Sequence, residues 1–327
     1  MTSRKRQFGA IGLDIGGTKI AAGVVLWPSG EILYRTQIPT LAARGGEPVL
    51  RDTLVLAGEL YDRARSEQIE VAGIGAGIAE LVDCDGNVTS SCTIRWSGVP
   101  VQQRLSTVAP AQVESDVRAA ALAESMFGVG RGHRLFVYVT VGTGISYCLV
   151  QDGRPFKGAR GNAITMASSP LSTVCTHCGV KLHPVLEEFA SGPAIARRFA
   201  QARSANSNGE PSLTSSGEEV FGAAARGDAA AAEILTSSGE ALGVSTAFLV
   251  NVLDPEMIVV GGGLGLAGGL YWDAFQQSCR EHVFADDARD LPIVTAKLGA
   301  DAGLVGAAAA VFAQQNLSKG NYAHGTN

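Results

Sequence analysis

Residues 8–27, FGAIGLDIGGTKIAAGVVLW, read as an apolar strand (8–15), a tight Gly-Gly-Thr-Lys turn and a second apolar strand. Pro28-Ser29-Gly30 then turns the chain into a third strand, EILYRTQI, which makes the opening an antiparallel meander. The theme returns at 135–154, LFVYVTVGTGISYCLVQDGR: strand, Gly-Thr-Gly turn, strand, Asp-Gly turn. Two hairpins with glycine tips read as a distant internal repeat, one per domain. Between and after them, residues 47–67 carry apolar positions at helical spacing, and VAGIGAGIA (71–79) is a buried strand of small residues. DCDGN (83–87) is a hairpin turn, and VRAAALAESMF (117–127) is an Ala-rich helix. Residues 227–253 form a long helix, MIVVGGGLG (257–265) is a strand entering a glycine turn, LPIVTAKLG (291–299) a late strand, and AGLVGAAAAVFAQQ (302–315) a small-residue helix. The polar stretches 203–217 and 316–327 read as a loop and a disordered tail. Strands and helices alternate throughout, so the fold class is α/β.

The 327 residues are enough for about two domains. Hydrophobic residues at 46% against 17% charged ones allow a sizeable core. A net charge of −5 argues against nucleic-acid or anionic-membrane binding, which both need a basic surface. The basic-then-apolar N-terminus imitates a signal peptide, but Asp14 and Lys19 interrupt the apolar run. No uninterrupted apolar run approaches ~18 residues, the length a membrane span needs. The six cysteines show no disulfide logic; only Cys175 and Cys178 are close, so a reducing, cytoplasmic setting is expected.

Four short segments carry chemistry. In Asp14-Ile15-Gly16-Gly17-Thr18-Lys19 the glycines let backbone N–H groups approach phosphate oxygens, while Thr18 and Lys19 add a hydroxyl and a positive charge. Asp14, at a strand end, could anchor Mg²⁺ through water. Alone, such a turn is an ordinary hairpin tip. Thr140-Val141-Gly142-Thr143-Gly144 presents similar donors, and Gly261-Gly262-Gly263 leaves bare backbone for a base or ribose. Val113-Glu114-Ser115-Asp116 stands ahead of a helix, where Asp116 is either an N-cap or a general base for a hydroxyl attacking phosphorus.

The segments LDIGGTK, VESD, VTVGTGIS, LEEFASGPAI, NVLDPEMIVVGGG and LGADAGLVGAA occur in this order. Together they resemble the ROK family of sugar kinases, within the actin-like ATPase superfamily, from about residue 8 to residue 313. The resemblance implies two RNase H-like domains with an interdomain cleft, the first at 1–117 joined by a C-terminal helix from about 303 to 327, the second at 118–302. It implies ATP and Mg²⁺ as cofactors, Asp116 as the base, Asp14, Gly16–Lys19 and Thr140–Gly144 around the metal and phosphates, and Gly261, Gly262 and Gly263 near the adenosine. It also implies that Gly77, Cys92, Ser115, Asp116, Thr165 and Glu187 face the acceptor, and that a homodimer is to be expected. Family repressors carry a DNA-binding segment ahead of the phosphate loop; here the loop comes almost at once, so the kinase branch is expected.

The departures cluster on the sugar side. The family's Asn-Asp is Ser115-Asp116 here, a second family Asn aligns with Cys92, and the family's Gly-Glu-Ile-Gly-His is replaced by Ile164-Thr165-Met166-Ala167-Ser168, while Glu187 is kept. Unpaired buried polar groups cost ~1–3 kcal/mol each, so plain glucose should be penalised. The favoured acceptor is therefore a C7-cyclitol phosphorylated on its hydroxymethyl group in aminocyclitol biosynthesis; glucokinase or hexokinase activity is the alternative, and a sugar-sensing binder without turnover is the alternative of another class. A structural zinc, where the family has one, would use Cys175, Cys178, His183 and His177; free thiols are the other reading. Trp96 reads as packing, Arg118 as salt-bridged or solvated, and His133 and Glu218-Glu219 as surface.

Overall fold

The computed structural model describes residues 7–96, 98–206 and 216–318. Two compact units divide the chain: Met1–His133 with Val150–Ala163 and Ala300–Asn327, and Arg134–Leu149 with Ile164–Gly299.

The first unit opens with the expected meander, β1 (Phe8–Ile15), β2 (Lys19–Trp27) and β3 (Ile32–Pro39), paired antiparallel. In α1 (Gly46–Ser66), Val49, Leu50, Leu56, Ala57, Leu60 and Ala64 recur at helical spacing and are buried. β4 (Glu70–Ile78) returns parallel to β1. A short α2 (Val101–Leu105) precedes β5 (Ala111–Ser115), parallel to β4, and α3 (Asp116–Phe127) begins at the next residue. The sheet order is β3-β2-β1-β4-β5.

The second part of the chain contributes β6 (Leu135–Val141), β7 (Ile145–Gln151), β8 (Arg154–Pro155), and a small hairpin of β9 (Thr173–Val174) and β10 (Lys181–Leu182). After it come α4 (Leu186–Ala190), α5 (Gly192–Asn206), α6 (Gly217–Ala225), α7 (Ala229–Leu253), β11 (Met257–Gly261), α8 (Gly269–His282) and β12 (Ile293–Thr295). The second sheet runs β8-β7-β6-β11-β12. Position for position this is the order of the first sheet, so the repeat read from two glycine-tipped hairpins is a repeat of topology. The late strand expected over 291–299 is shorter, only Ile293–Thr295. Residues 207–215, within the expected loop, and 319–327, within the expected tail, lie outside the described residues; 203–206 belong to α5, and Ser216 caps α6 by accepting from the Glu219 amide.

α9 (Ala302–Ser318) returns to the first unit and packs on β1, β4 and α3. The boundary expected at 117/118 would cut the first turn of α3, a helix that the described contacts group with the first unit. Small residues set this packing. Gly12 and Gly75 are partners across β1 and β4, and a Cβ on them would stand 2.2 Å from Leu304 O and 1.7 Å from Ala307 O. Gly306 meets α3 in the same way: a Cβ there would stand 1.8 Å from Ala119 O. Backbone cannot yield as a flexible side chain does, so these glycines hold the helix at the distance that carries Gly303 to Asp14. Gly75→Val is expected to destabilise the protein by on the order of 3 kcal/mol or more in urea unfolding. Gly58→Ala, mid-helix in α1 with open space around it, is expected to stabilise it by about 0.5–1 kcal/mol.

Candidate active site

The parallel strands β1, β4 and β5 end together, with Ile15, Ile78 and Ser115 in register. Loops beyond the carboxyl ends of parallel strands are where α/β sheets place ligands. Three carboxylates collect there: Asp14 at the end of β1, Glu80 two residues past β4, and Asp116 one residue past β5. Asp14 is partly buried, and a Cβ on Gly303 in the first turn of α9 would stand 2.6 Å from its Cγ. Burial raises Asp14 to about 6, with Lys19 acting against it.

Asp116 is the first residue of α3, with Ser115 at the cap position, and the Ser115 side chain makes no capping bond. The capping reading of Asp116 therefore fails. Its Oδ1 accepts from the amide of the next residue, Val117, at 2.7 Å. Burial, then the charge of Asp14, raise Asp116 to about 7; the Val117 amide and Arg118 pull the other way, and Glu80 adds to the rise. A carboxyl near 7 is matched to general-base work at neutral pH.

The Gly16–Lys19 turn joins β1 to β2 as read, with Thr18 and Lys19 exposed and the Gly16 amide donating to Lys19 O at 3.0 Å. Thr40, fully buried, braces it: its hydroxyl donates to Gly16 O at 2.6 Å and its amide to Thr18 O at 3.0 Å. Cys92 is exposed on a loop that comes to the same turn, since a Cβ on Gly17 would stand 2.5 Å from Thr93 Cγ2. Ser115 is buried. A Cβ on Gly77 would meet Ala119 and Gly303 at ordinary contact distances, so that position looks toward α3 and α9. Arg118 is buried, bridges Glu114, and donates to the carbonyls of Val82 and Gly161. Lys157 completes the bridge to Glu114 at 2.8 Å. Sequence reasoning missed Glu80 and Thr40. A charge closing a strand of glycines and alanines was the available signal for Glu80; Thr40 had none.

In the second unit the two expected nucleotide turns are neighbours. Val141 O accepts from the amides of Leu264 and Gly265 at 3.0 and 3.2 Å. Gly262, at φ 82°, leaves no room for a side chain, as a Cβ would stand 2.3 Å from Val141 O. Thr140, Gly142, Thr143 and Gly144 thus lie beside Gly261, Gly262 and Gly263. Glu187 reaches the first of these turns: its Oε2 accepts from the Ile145 amide at 2.8 Å, and Ser168 Oγ lies 3.5 Å from Oε1. Thr165 is exposed just before Ser168 and follows Ile164, whose φ of 59° is strained for a β-branched residue.

The zinc set does not converge. In the β9–β10 hairpin Cys175 lies opposite Val180, and Ser172 lies opposite His183, whose Nδ1 bonds Ser172 Oγ at 2.8 Å. The Cys175 sulfur instead takes the amides of Cys178 and His177 and contacts the Cys178 thiol, all of which lower its pKa. Among the described residues no three His, Cys, Asp or Glu side chains gather as a metal-binding group. In this structure Cys175, His177, Cys178 and His183 are not gathered as a four-ligand set, and the two cysteines are free thiols. No helix among the described residues is long and apolar enough to cross a membrane.

Known proteins share this architecture. The chain is 29% identical to a glucokinase of Halalkalibacterium halodurans over 95% of its own length and 97% of that protein. It is 33% identical to the bifunctional enzyme NanE/NanK of Brucella suis, over 91% of this chain but 52% of that protein. A ROK family glucokinase from Streptomyces griseus, solved in complex with glucose and AMPPNP, superimposes with a TM-score of 0.76 at 30% identity, covering 92% of this chain and 98% of that one. The pair of like-ordered five-stranded sheets is accordingly the two-domain actin-like ATPase fold. The model of the ROK family matches residues 10–314, which span every motif from the Gly16–Lys19 turn to α9, and on that match this chain belongs to the ROK family.

Proposed function

We propose that this chain is an ATP-dependent sugar kinase in which Asp116 takes the proton of a primary hydroxyl while that oxygen attacks the γ-phosphorus and ADP leaves. The observation that carries this reading is a carboxyl at the carboxyl ends of the parallel strands, first in α3 and on the same unit as the Gly16–Lys19 turn, with burial raising it to about 7. A protonated carboxyl at neutral pH would be a poor base, and one at its ordinary value a weak one; near 7 both requirements are met. The first unit supplies the base and the acceptor contacts at Gly77, Cys92 and Ser115, while the second supplies those at Thr165 and Glu187 and the nucleotide contacts of the turns at 140–144 and 261–263. Asp14 fits a divalent cation: it is a hard oxygen ligand whose charged form burial disfavours and a cation would restore. Bound with the nucleotide, Mg²⁺ would draw charge from the transferring group. Lys19 and backbone amides stabilise the same charge.

The relatives named glucokinase and NanE/NanK support a hexose acceptor over the C7-cyclitol favoured by sequence alone. By the resemblance Cys92 and Ser115 replace asparagines on the sugar side, and Thr165 and Ser168 replace a glutamate and a histidine that approach the sugar's C1–C2 end. That supports a hexose substituted there, a 2-acetamido sugar being the leading class, over unmodified glucose.

With MgATP, acceptor-dependent ADP release should be found across glucose, mannose, 2-acetamido hexoses and carbocyclic analogues, with kcat/KM for a C2-substituted hexose above that for glucose. No release with any acceptor would refute the kinase reading and favour a sugar-binding protein without turnover.

Asp116→Asn should lower kcat by about 10³-fold or more with the Kd for ATP little changed. The same variant reports the charge cost. A carboxyl raised in the fold binds its proton more tightly than in the unfolded chain, so wild-type stability falls as pH rises from about 4 toward about 7 and is level beyond. In urea unfolding without nucleotide or metal, Asp116→Asn should be more stable than wild type at pH 8, with a smaller gain at pH 5. An equal gain at both would place the carboxyl in water.

A further inference from the structure

Glu80 is 7% exposed, yet every acceptor site on its carboxylate is turned to one loop. Oε2 accepts from the Ser90 hydroxyl and from the Cys92 amide at 2.9 Å; Oε1 accepts from the amides of Thr93 at 2.6 Å and Ile94 at 2.9 Å. Three successive N–H groups aimed at one anion form a concavity of the kind that binds phosphates, filled here by the protein's own side chain. Ser90 extends the link, since its Oγ also accepts from the Leu81 amide at 2.8 Å. The loop so held carries Cys92, an acceptor contact in the reading above, and Thr93, whose methyl fills the space over Gly17. Glu80 itself follows β4, whose end is tied to β1 by the Ala79 amide donating to Ile15 O at 3.2 Å.

We infer that Glu80 is a positioning residue that fixes Ser90–Ile94 against the Gly16–Gly17 turn and so sets acceptor affinity. The inference rests on the kinase reading for its effect on the acceptor, and on hydrogen bonding alone for its effect on the loop. Charge-assisted hydrogen bonds to a buried carboxylate are strong, and a neutral amide there would turn donors toward donors. Glu80 touches no reacting atom in this account; it acts through the loop.

Two readouts on E80Q test it. Hydrogen exchange of the ligand-free protein should show the amides of Cys92, Thr93 and Ile94 exchanging about 10-fold faster or more, with β1, β4 and α9 unchanged. In steady-state kinetics the acceptor KM should rise about 10-fold, with kcat and the KM for ATP changing less than about 3-fold. E80D, which keeps the charge on a shorter stem, should recover part of both. Wild-type exchange at 92–94 in E80Q overturns the inference, as does an unchanged acceptor KM. Faster exchange across the whole first unit overturns it too, by making Glu80 a general stabiliser. If the wild-type protein turns over no acceptor, the kinase reading fails, and the exchange experiment still decides whether Glu80 holds the loop.

Discussion

Three carboxylates share the ends of three parallel strands, and each is treated differently by its surroundings. Glu80 is buried and satisfied by three amides and a hydroxyl. Asp14 has Lys19 near it, and burial still raises it to about 6. Asp116 receives one amide, feels the other two charges, and is raised to about 7. Like charges crowded into a partly dry site cannot all be held at their ordinary acidity. The division that results resembles a division of labour: a fixed structural anion, a cation ligand and a proton acceptor.

Backbone contact keeps this crowding in place. Gly12, Gly75 and Gly306 let α9 settle on β1, β4 and α3 without intervening side chains, and α9 begins with Gly303 against Asp14. The helix that presents Asp116 is thus packed on the helix that closes over Asp14. The second sheet repeats the order of the first, but the second unit places glycine turns, not carboxylates, beside each other. The chemistry of the two halves differs because the residues at equivalent strand ends differ.

Much of this could be read from the residues. The hairpins, the Ala-rich α3 and the small-residue α9 follow from periodicity and turn chemistry, and the glycine turns mark strand ends that the structure bears out. Other features depend on partners far apart in the chain. Arg118 reads as salt-bridged or solvated, and the bridge to Glu114 is there, but its carbonyl partners, Val82 and Gly161, are remote in sequence. Glu80 drew no reading because the amides it accepts from lie beyond a hairpin turn. The zinc expectation followed residue spacing, which does not show that the His183 ring bonds Ser172. The acceptor reading leaned on missing polar residues, and absence of a contact defines a substrate less well than a relative's chemistry does.

The base assignment is tested most directly by the pH dependence of kcat/KM for the acceptor at saturating MgATP, between about pH 5 and pH 9. With Asp116 as proton acceptor, the profile should fall about tenfold per pH unit on the acid side of an apparent pKa that burial raises above the ordinary carboxylate range, and Asp116→Asn should lose that limb along with the activity. A wild-type profile that stays flat from about pH 5 to pH 8 would contradict the account.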